Sequence, residues 1–416
     1  MVRMNKIAPD GSSSLGAPHA RLRQWMFLVA FVGVALLALI ALAEIVLRVS
    51  RPDDRFYPYH RNSTHLFYPS EQATPGVSGV SRFTTNSFGT RGPELNGERI
   101  RILTIGGSTT ACTVLDDEES WPALLMNYLI HDVNDSAFAW VTNSGMDGKH
   151  TDHHIMHAKY LLPRLPKIDY VIVYAGLNDV GKWLYAEKFD PHYLDDLNNW
   201  SNRVGEAFQV SNYTPKVFPW YKKLELWKSA SIAKDLIVSS LETKKNLKGS
   251  IAQDAQLKWM EDARRQRQER EKHFVHRAKM ETLPLALQSY RDNLTLIVRL
   301  VREAGAEPVF VAQAIQHQFL NEEERRRLWM GAMDGGKTYI KEEQMLEILN
   351  TFNLGMREVA RQEGVAFVDI PDLIQGQHNL FYDAVHFNEN GARVMARALA
   401  DRLGPIFRSS ASRPVP

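Results

Sequence analysis

The sequence predicts an α/β fold, a three-layer α/β/α sandwich on a doubly wound parallel sheet of the flavodoxin-like kind. Two observations predict it. Short runs rich in β-branched residues end in glycine, as in "RIRILTIGG" and "IDYVIVYAGLND", which is typical of buried parallel strands. Two more runs of this kind, "EPVFVAQ" and "GVAFVDI", follow the helical stretches "LTLIVRLVREAG" and "NLGMREVARQEG". Helices that alternate with strands and stop at glycine predict a parallel sheet covered on both faces.

Length and charge exclude some classes of function. The 416 residues can bury a large core. With 50 basic against 48 acidic residues the net charge is +2, which gives no electrostatic basis for binding nucleic acid. The single cysteine excludes an intramolecular disulfide. A polar or neutral substrate therefore fits the composition.

The N-terminus predicts a membrane segment. Residues 25–43 are uncharged and apolar, and a helix of this length nearly spans a hydrocarbon core of about 30 Å. We predict a cytoplasmic tail over residues 1–23 and a single transmembrane anchor over 24–49. Basic residues at 3, 6, 21 and 23 favour a cytoplasmic N-terminus, with the remaining domain periplasmic or external. The alternative is a signal peptide, because Ala41-Leu42-Ala43 resembles a cleavage site.

Two further segments depart from the helix and strand alternation. Residues 50–98 are rich in Pro, Ser, Thr, Gly and Asn, which predicts an extracytoplasmic connector over the domain surface. Within the main domain, predicted over 99–408, residues 183–280 read as a helical insertion. Its mixed-charge stretch "EDARRQRQEREKHFVHRAK" indicates a helical cap with a solvated charged face. The alternative is that the aromatic part of the insertion forms a wall of a substrate cleft.

Ser108 stands where the predicted strand in "ILTIGGSTTAC" gives way to a helix. Ligands of open parallel sheets bind beyond the carboxyl ends of the strands, and a helix N-terminus there favours developing negative charge. The position suits a nucleophile. The alternatives are a helix cap made by Ser108 or Thr109, and a phosphate-binding loop, although the lysine of a P-loop is missing.

Other residues complete a possible catalytic group. Asp383 and His386 are three residues apart in "FYDAVHFNENGARVMARALAD", and a serine needs a histidine base that a carboxylate orients. Gly148 in "NSGMDGKH" and Asn178 in "AGLND" follow other strands, where an N–H and a carboxamide can stabilise an oxyanion. We expect the Gly148 N–H to face the substrate at a place where a side chain would obstruct it.

The order Gly-Gly-Ser, Asn-x-x-x-x-Gly, Gly-x-Asn-Asp and Asp-x-x-His resembles the SGNH hydrolases, also called GDSL esterases and lipases. The resemblance implies Ser108 as nucleophile and oxyanion donor, Gly148 and Asn178 as the other oxyanion donors, His386 as base and Asp383 as its orienting acid. The stretch "TTNSFGTRGPEL" is similar to a segment of membrane-anchored bacterial members. One position departs from the family, because Gly107 replaces the usual aspartate. An α/β-hydrolase, which shares the order Ser, Asp, His, expects G-x-S-x-G instead of "GGSTT".

Several polar residues lie near these motifs. The stretch "HTDHHIMH" brings four histidines to helical spacing, which suggests either a metal site or a helix beside the cleft: His150, His153, His154 and His157. No carboxylate pattern such as H-E-x-x-H accompanies them. We list His150, Gln313 and His317 as possible substrate contacts, and predict that Arg91 is a structural clamp.

The sequence thus predicts a serine esterase that hydrolyses O-acyl esters through an acyl-enzyme. The scheme requires no metal and no organic cofactor. The predicted substrate is an acyl ester. Because the domain is expected outside the cytoplasm, acylated polysaccharide or lipid is included among the candidate substrates. The second predicted partner is the membrane. Two alternatives stay open. An O-acyltransferase would pass the acyl group to a cell-envelope glycan, and a non-catalytic binding or assembly protein would leave Ser108 unreactive.

Overall fold

The computed structural model describes residues 17–50, 56–211, 251–275, 279–316, 321–374 and 379–411, together with 213, 219–227, 229, 230, 234 and 377. The chain divides into two compact units. One comprises residues 1–53 and 218–243, and the other comprises residues 54–217 and 244–416.

The strands of these residues are β1 (Phe56–Tyr57), β2 (Thr64–Phe67), β3 (Ser81–Thr84), β4 (Ile100–Gly106), β5 (Ala139–Asn143), β6 (Tyr170–Ala175), β7 (Val210–Ser211), β8 (Phe274–Val275), β9 (Glu307–Ala312), β10 (Ala332–Met333), β11 (Thr338–Ile340) and β12 (Ala366–Val368). The α-helices are α1 (Ala17–Ser50), α2 (Ser108–Ala111), α3 (Trp121–Val133), α4 (Thr151–Met156), α5 (Leu177–Tyr185), α6 (Leu197–Ala207), α7 (Ile251–Glu269), α8 (Leu283–Glu303), α9 (Glu322–Arg326), α10 (Glu342–Glu363), α11 (Ile370–Ile374) and α12 (Glu389–Ala411). Short 3₁₀ or π turns cover His157–Leu161, Leu162–Arg164, Tyr193–Asp195, Trp220–Lys223, Glu271–His273 and Asp334–Gly336.

A five-stranded sheet in the order β5-β4-β6-β9-β12 forms the centre, and all of its pairs are parallel. The chain starts in β4, adds β5 on one side and then adds β6, β9 and β12 on the other. This is the flavodoxin-like doubly wound order, whose switch point lies beside the first strand. The predicted fold class is confirmed.

Helices cover both faces of the sheet because side chains alternate along each strand. In β4, Ile102 packs on one face while Leu103 and Ile105 pack on the other, and all three are fully buried. Helices α3 and α12 pack together on the Ile102 face. Helices α4, α8 and α10 contribute to the core on the opposite face.

Residues 56–98 are more than the connector that their composition predicts. Strands β2 and β3 form an antiparallel pair, and Arg91 exchanges backbone hydrogen bonds with Asn143 at the end of the edge strand β5. The Arg91 guanidinium is 2% exposed and donates to the carbonyl oxygens of Arg82, Ala111, Cys112 and Leu115 at 2.7–3.0 Å. The segment is therefore built into the domain, and Arg91 has the predicted structural role: it clamps the chain that follows α2.

The predicted insertion contributes α6 and α7 among the residues described. The charged face of α7 is not simply solvated. Arg267 is 4% exposed, donates to the Met330 carbonyl and pairs with Glu342, while Arg264 donates to the Ala73 carbonyl. These arginines tie α7 to other parts of the domain.

Helix α1 includes a candidate membrane span over Arg23–Ser50, within which 18 consecutive residues have a mean hydropathy of 2.9 and none of them is buried. By length and composition this stretch could be a membrane anchor or a signal sequence.

Candidate active site

The turn at Ser108 is possible only because two glycines precede it. A Cβ on Gly106 would lie 2.0 Å from Thr110 Oγ1 and 2.7 Å from the Tyr174 carbonyl oxygen, so any side chain would force β4, β6 and α2 apart. Ser108 then begins α2, where the first N–H groups of a helix have no partner within the helix. Its hydroxyl and its N–H therefore lie together at the carboxyl end of β4.

Gly107, the position that departs from the SGNH pattern, makes room for Asn178. A Cβ on Gly107 would lie 2.3 Å from Asn178 Nδ2 and 3.1 Å from the Lys149 carbonyl oxygen. That carboxamide donates to the same Lys149 oxygen at 2.8 Å. Asn178 thus lies against the Ser108 turn at the sheet's switch point, between the ends of β4 and β6.

The loop after β5 carries Gly148 to the same edge. The Asn143 side chain donates to the Thr110 carbonyl oxygen at 2.7 Å and accepts from the Gly145 N–H at 2.8 Å, which fixes the loop against α2. Gly148 has a φ of +72°, and nothing lies within 4 Å of a Cβ built there. The left-handed backbone therefore favours glycine at this position, because other residues rarely adopt a positive φ.

Ser108, His386 and Asp383 form one hydrogen-bonded chain. The Ser108 Oγ lies 2.7 Å from His386 Nε2, and His386 Nδ1 lies 2.8 Å from Asp383 Oδ2. The other carboxylate oxygen, Oδ1, accepts the N–H groups of Val385 and His386, both at 2.8 Å. Asp383 is 3% exposed, so its charge acts in surroundings with little screening.

This chain of contacts determines the protonation of the pair. Burial alone would lower the pKa of His386, but the charge of Asp383 and its hydrogen bond, together with the charge of Asp147, raise that pKa above the ordinary 6.5. Burial would raise the pKa of Asp383, but His386 and the two backbone N–H groups lower it. Asp383 is therefore the anion of the pair, and Nδ1–H of His386 points to it.

Trp329 is a member of the site that the sequence did not reveal. Its Nε1–H donates to Asp383 Oδ2 at 3.0 Å, and its ring lies nearly parallel to the His386 imidazole, at 17° and 6.2 Å between centroids. Tyr382 is also nearly parallel to His386, at 12° and 5.4 Å. A single tryptophan in the charged stretch around 322–329 gives no periodic signal, so only the structure reveals that it positions the carboxylate.

A cleft of about 880 Å³ opens over this chain of residues. Ser108, Gly148, Asn178 and His386 lie in its lining with Asp147, His150 and Lys182. The rest of the lining is mostly apolar and comes from the end of α5, from α7 and from the segment around β10 and β11: Gly181, Leu184, Tyr185, Ala186, Met260, Ala263, Gln266, Trp329, Met330, Gly331, Ala332 and Tyr339.

The other predicted substrate contacts have different outcomes. His150 lines the cleft. Gln313 does not, which corrects the expectation: it is 2% exposed, its Nε2 donates to Thr109 Oγ1 at 3.3 Å, and its backbone pairs with the side chain of Asn353. Asn353, on α10, holds Gln313 beneath the Ser108 turn. His317 lies outside the described residues.

The remaining histidines of "HTDHHIMH" are buried beside the cleft. His153 Nε2 lies 3.0 Å from a Glu206 carboxylate oxygen, and His157 Nε2–H donates to the Ala207 carbonyl at 2.8 Å. Burial lowers the pKa of His157 to about 4, so this ring is neutral. Across the described ranges, no group of three or more His, Cys, Asp or Glu side chains is placed to hold a metal ion.

A buried charged cluster lies next to the cleft wall. Asp152, 1% exposed, accepts from Lys182 Nζ at 2.7 Å and from Arg203 Nε at 3.2 Å. Asp179 accepts from the hydroxyl and the N–H of Thr151, and burial raises its pKa to about 7. These contacts fix the first turns of α4 and α5, and with them Asn178.

No protein-family model and no curated protein sequence matches the chain. Among solved structures it is similar to LAE5, an alpha/beta hydrolase enzyme from the metagenome of Lake Arreo, with 14% identity, 74% of this chain and 97% of that chain covered, and a TM-score of 0.38. Another is the psychrotrophic esterase EstA from Pseudoalteromonas sp., with 11% identity, coverages of 74% and 98%, and a TM-score of 0.38. A third is the acetylxylan esterase Axe2 from Geobacillus stearothermophilus, with 13% identity, coverages of 74% and 95%, and a TM-score of 0.37. TM-scores this low carry no conclusion about activity.

The close approach at Gly107 gives a testable prediction. If Asn178 is the oxyanion donor that the sequence resemblance implies, Gly107→Ala should displace its carboxamide and lower kcat on an aryl ester by about 10²-fold, the usual effect of losing one such donor. Asn178→Ala should cause a loss of similar size. Gly205→Ala is the matched control, because nothing lies within 4 Å of a Cβ there. Unchanged kcat in folded Gly107→Ala would contradict this role of Asn178.

Proposed function

We propose that the chain is a serine esterase. The premise is the SGNH hydrolase fold, which its sheet and its four converging motifs display. The observation that carries the proposal is the hydrogen-bonded chain from Ser108 through His386 to Asp383 at the floor of a cleft. The three groups have the order and contacts that activate a serine hydroxyl for attack on a carbonyl.

Acylation of the serine is the first step. Ser108 Oγ attacks the ester carbonyl carbon while its proton passes to His386 Nε2. The resulting imidazolium is stabilised by the Asp383 carboxylate, which accepts the Nδ1–H. The N–H groups of Ser108 and Gly148 and the Asn178 carboxamide donate to the oxyanion. When the carbon–oxygen ester bond breaks, Nε2–H protonates the leaving alkoxide, so an alcohol departs and the acyl group remains on Ser108.

Hydrolysis of the acyl-enzyme repeats these roles with water. His386 takes a proton from a water molecule as its oxygen attacks the acyl carbon, and the same donors hold the second oxyanion. The proton then returns to Ser108 Oγ when the acyl bond breaks. A carboxylic acid leaves and the starting state is restored.

The cleft walls favour an ester with an apolar part larger than acetyl. Its volume of about 880 Å³ is near the upper end of small-molecule sites, and side chains such as Leu184, Met260, Met330 and Tyr339 line it. Burying methylene groups there would add about 0.8 kcal/mol each to transition-state binding. His150 and Lys182 provide polar contacts at the same wall.

Removal of the catalytic groups tests the chemistry. On a short-chain aryl ester, Ser108→Ala and His386→Ala should each lower kcat by about 10³-fold or more, and the double variant should lose little beyond that because the groups act as a unit. His192→Ala, at an exposed histidine, is the control. Retention of activity in Ser108→Ala would exclude the serine mechanism.

The pH dependence follows from the pKa of His386. The imidazole must be neutral to accept the Ser108 proton, and its pKa is raised above 6.5. Activity should therefore be lost as the pH falls through a value above 6.5, while Asp383, with its lowered pKa, stays ionised. We expect a single acidic limb in kcat/KM against pH, and a limb centred below 6 would be inconsistent with this assignment.

Acyl chain length tests the substrate class. From acetyl to octanoyl esters kcat/KM should rise at least about tenfold, which corresponds to burying about two methylene groups. Ala263→Trp on α7 should fill part of the cleft and remove this gain while the acetyl rate stays within about twofold. Leu354→Trp, at an exposed position, is the control. A flat or falling series in the unaltered chain would exclude an apolar acyl site.

A further inference from the structure

The charge that interrupts the apolar N-terminal helix has partners in a distant part of the chain. Glu44 follows the uncharged residues 25–43, and its side chain is only 12% exposed. Its Oε1 accepts the Glu225 N–H and its Oε2 accepts the Leu226 N–H, both at 3.0 Å. The guanidinium of Arg48 donates to Oε1 at 2.7 Å. Glu44 therefore binds residues 225 and 226 to α1 within one compact unit.

The contact between Glu44 and residues 225 and 226 lies at a position on α1 that can be compared with the thickness of a bilayer. Nineteen uncharged residues at about 1.5 Å each span about 28 Å, nearly the thickness of a bilayer's hydrocarbon core. Glu44 is the first charged residue after these nineteen and lies within the predicted anchor 24–49. Because a charge inside the hydrocarbon core is costly, we place the boundary of the core at its carboxylate. The backbone N–H groups of residues 225 and 226 are held at the same level.

Three aromatic residues lie in the same chain segment as residues 225 and 226. Trp220 is 74% exposed, Tyr221 39% and Trp227 49%, and Tyr221 lies 6.2 Å from Trp220 and 5.2 Å from Trp227 between ring centroids. We call these three residues the aromatic cluster. At the opposite end of the apolar span Trp25 is 65% exposed. Large exposed aromatic rings at both ends of an apolar span match the aromatic belts of membrane proteins, whose rings lie among the lipid headgroups.

We propose that the aromatic cluster is a membrane-binding surface that inserts into the headgroup region of the bilayer beside the end of α1. The occupant is the lipid bilayer itself, because the cluster is tied to the one end of an apolar helix whose length matches the hydrocarbon core. The function of Glu44 is to hold this surface in place, which explains a carboxylate in an otherwise apolar run. The surface requires that α1 remain attached, since cleavage after Ala43 would remove the span.

The experiment measures depth in the membrane. The full chain with Cys112→Ala is reconstituted in phosphatidylcholine–phosphatidylglycerol vesicles, and a nitroxide is attached at Trp220→Cys or Trp227→Cys. Leu197→Cys and Leu354→Cys, each 58% exposed in the other unit, are the matched controls. Collision rates with oxygen and with a water-soluble nickel chelate give the depth of each label. Intact mass of the purified chain shows whether residues 1–43 are present.

We expect labels at 220 and 227 to lie at headgroup depth, with oxygen-to-nickel collision ratios several-fold above the two controls. Adding Glu44→Ala should move both labels towards water while the chain stays in the membrane, and Arg48→Ala should change the ratios less. Ratios at 220 and 227 equal to the controls, or a mature chain that begins at residue 44, would overturn the proposal. Ratios unaffected by Glu44→Ala would overturn the function given to Glu44.

Discussion

The hydrogen bond between Ser108 and His386 joins residues 278 positions apart in the sequence, and the site depends on it. The bond forms because the parallel register of the sheet brings the ends of β4, β5 and β6 to one edge. Ser108 begins the helix after β4, while Gly148 and Asn178 follow the neighbouring strands. His386 reaches this edge from the loop before α12, a helix that packs against α3 on one face of the sheet.

Close packing of backbone at this edge dictates which residues can stand there. Gly106 lets the chain turn under the Tyr174 carbonyl, and Gly107 lets the Asn178 carboxamide lie against the turn. At Gly107, where the SGNH pattern has an aspartate, the Asn178 carboxamide thus occupies the space that a side chain would need. Trp329 adds support from a different part of the chain, because its indole N–H holds the carboxylate that orients His386.

The sequence predicted those features that local patterns encode. Short β-branched runs that end in glycine identified the strands, and the spacing of Asp383 and His386 identified a turn that can hold both partners. It did not predict contacts between distant polar residues. Residues 50–98 resembled a connector because they are polar, yet Asn86 and Thr90 are buried and both hydrogen-bond to the hydroxyl of Thr142, more than fifty positions away. Gln313 resembled a cleft residue, but Asn353, forty positions away, holds it in the core. Neither pairing leaves a periodic signal.

The central claim is that an oxyanion on a substrate bound to Ser108 receives hydrogen bonds from the N–H groups of Ser108 and Gly148 and from Asn178. A crystal structure of the chain after reaction with an alkyl phosphonate tests it most directly, since the tetrahedral phosphorus resembles the acylation intermediate. The account predicts phosphorus bonded to Ser108 Oγ, with one phosphoryl oxygen within about 3 Å of all three donors and His386 Nε2 near another. Attachment at a different residue, or an oxygen directed away from these donors, would contradict it.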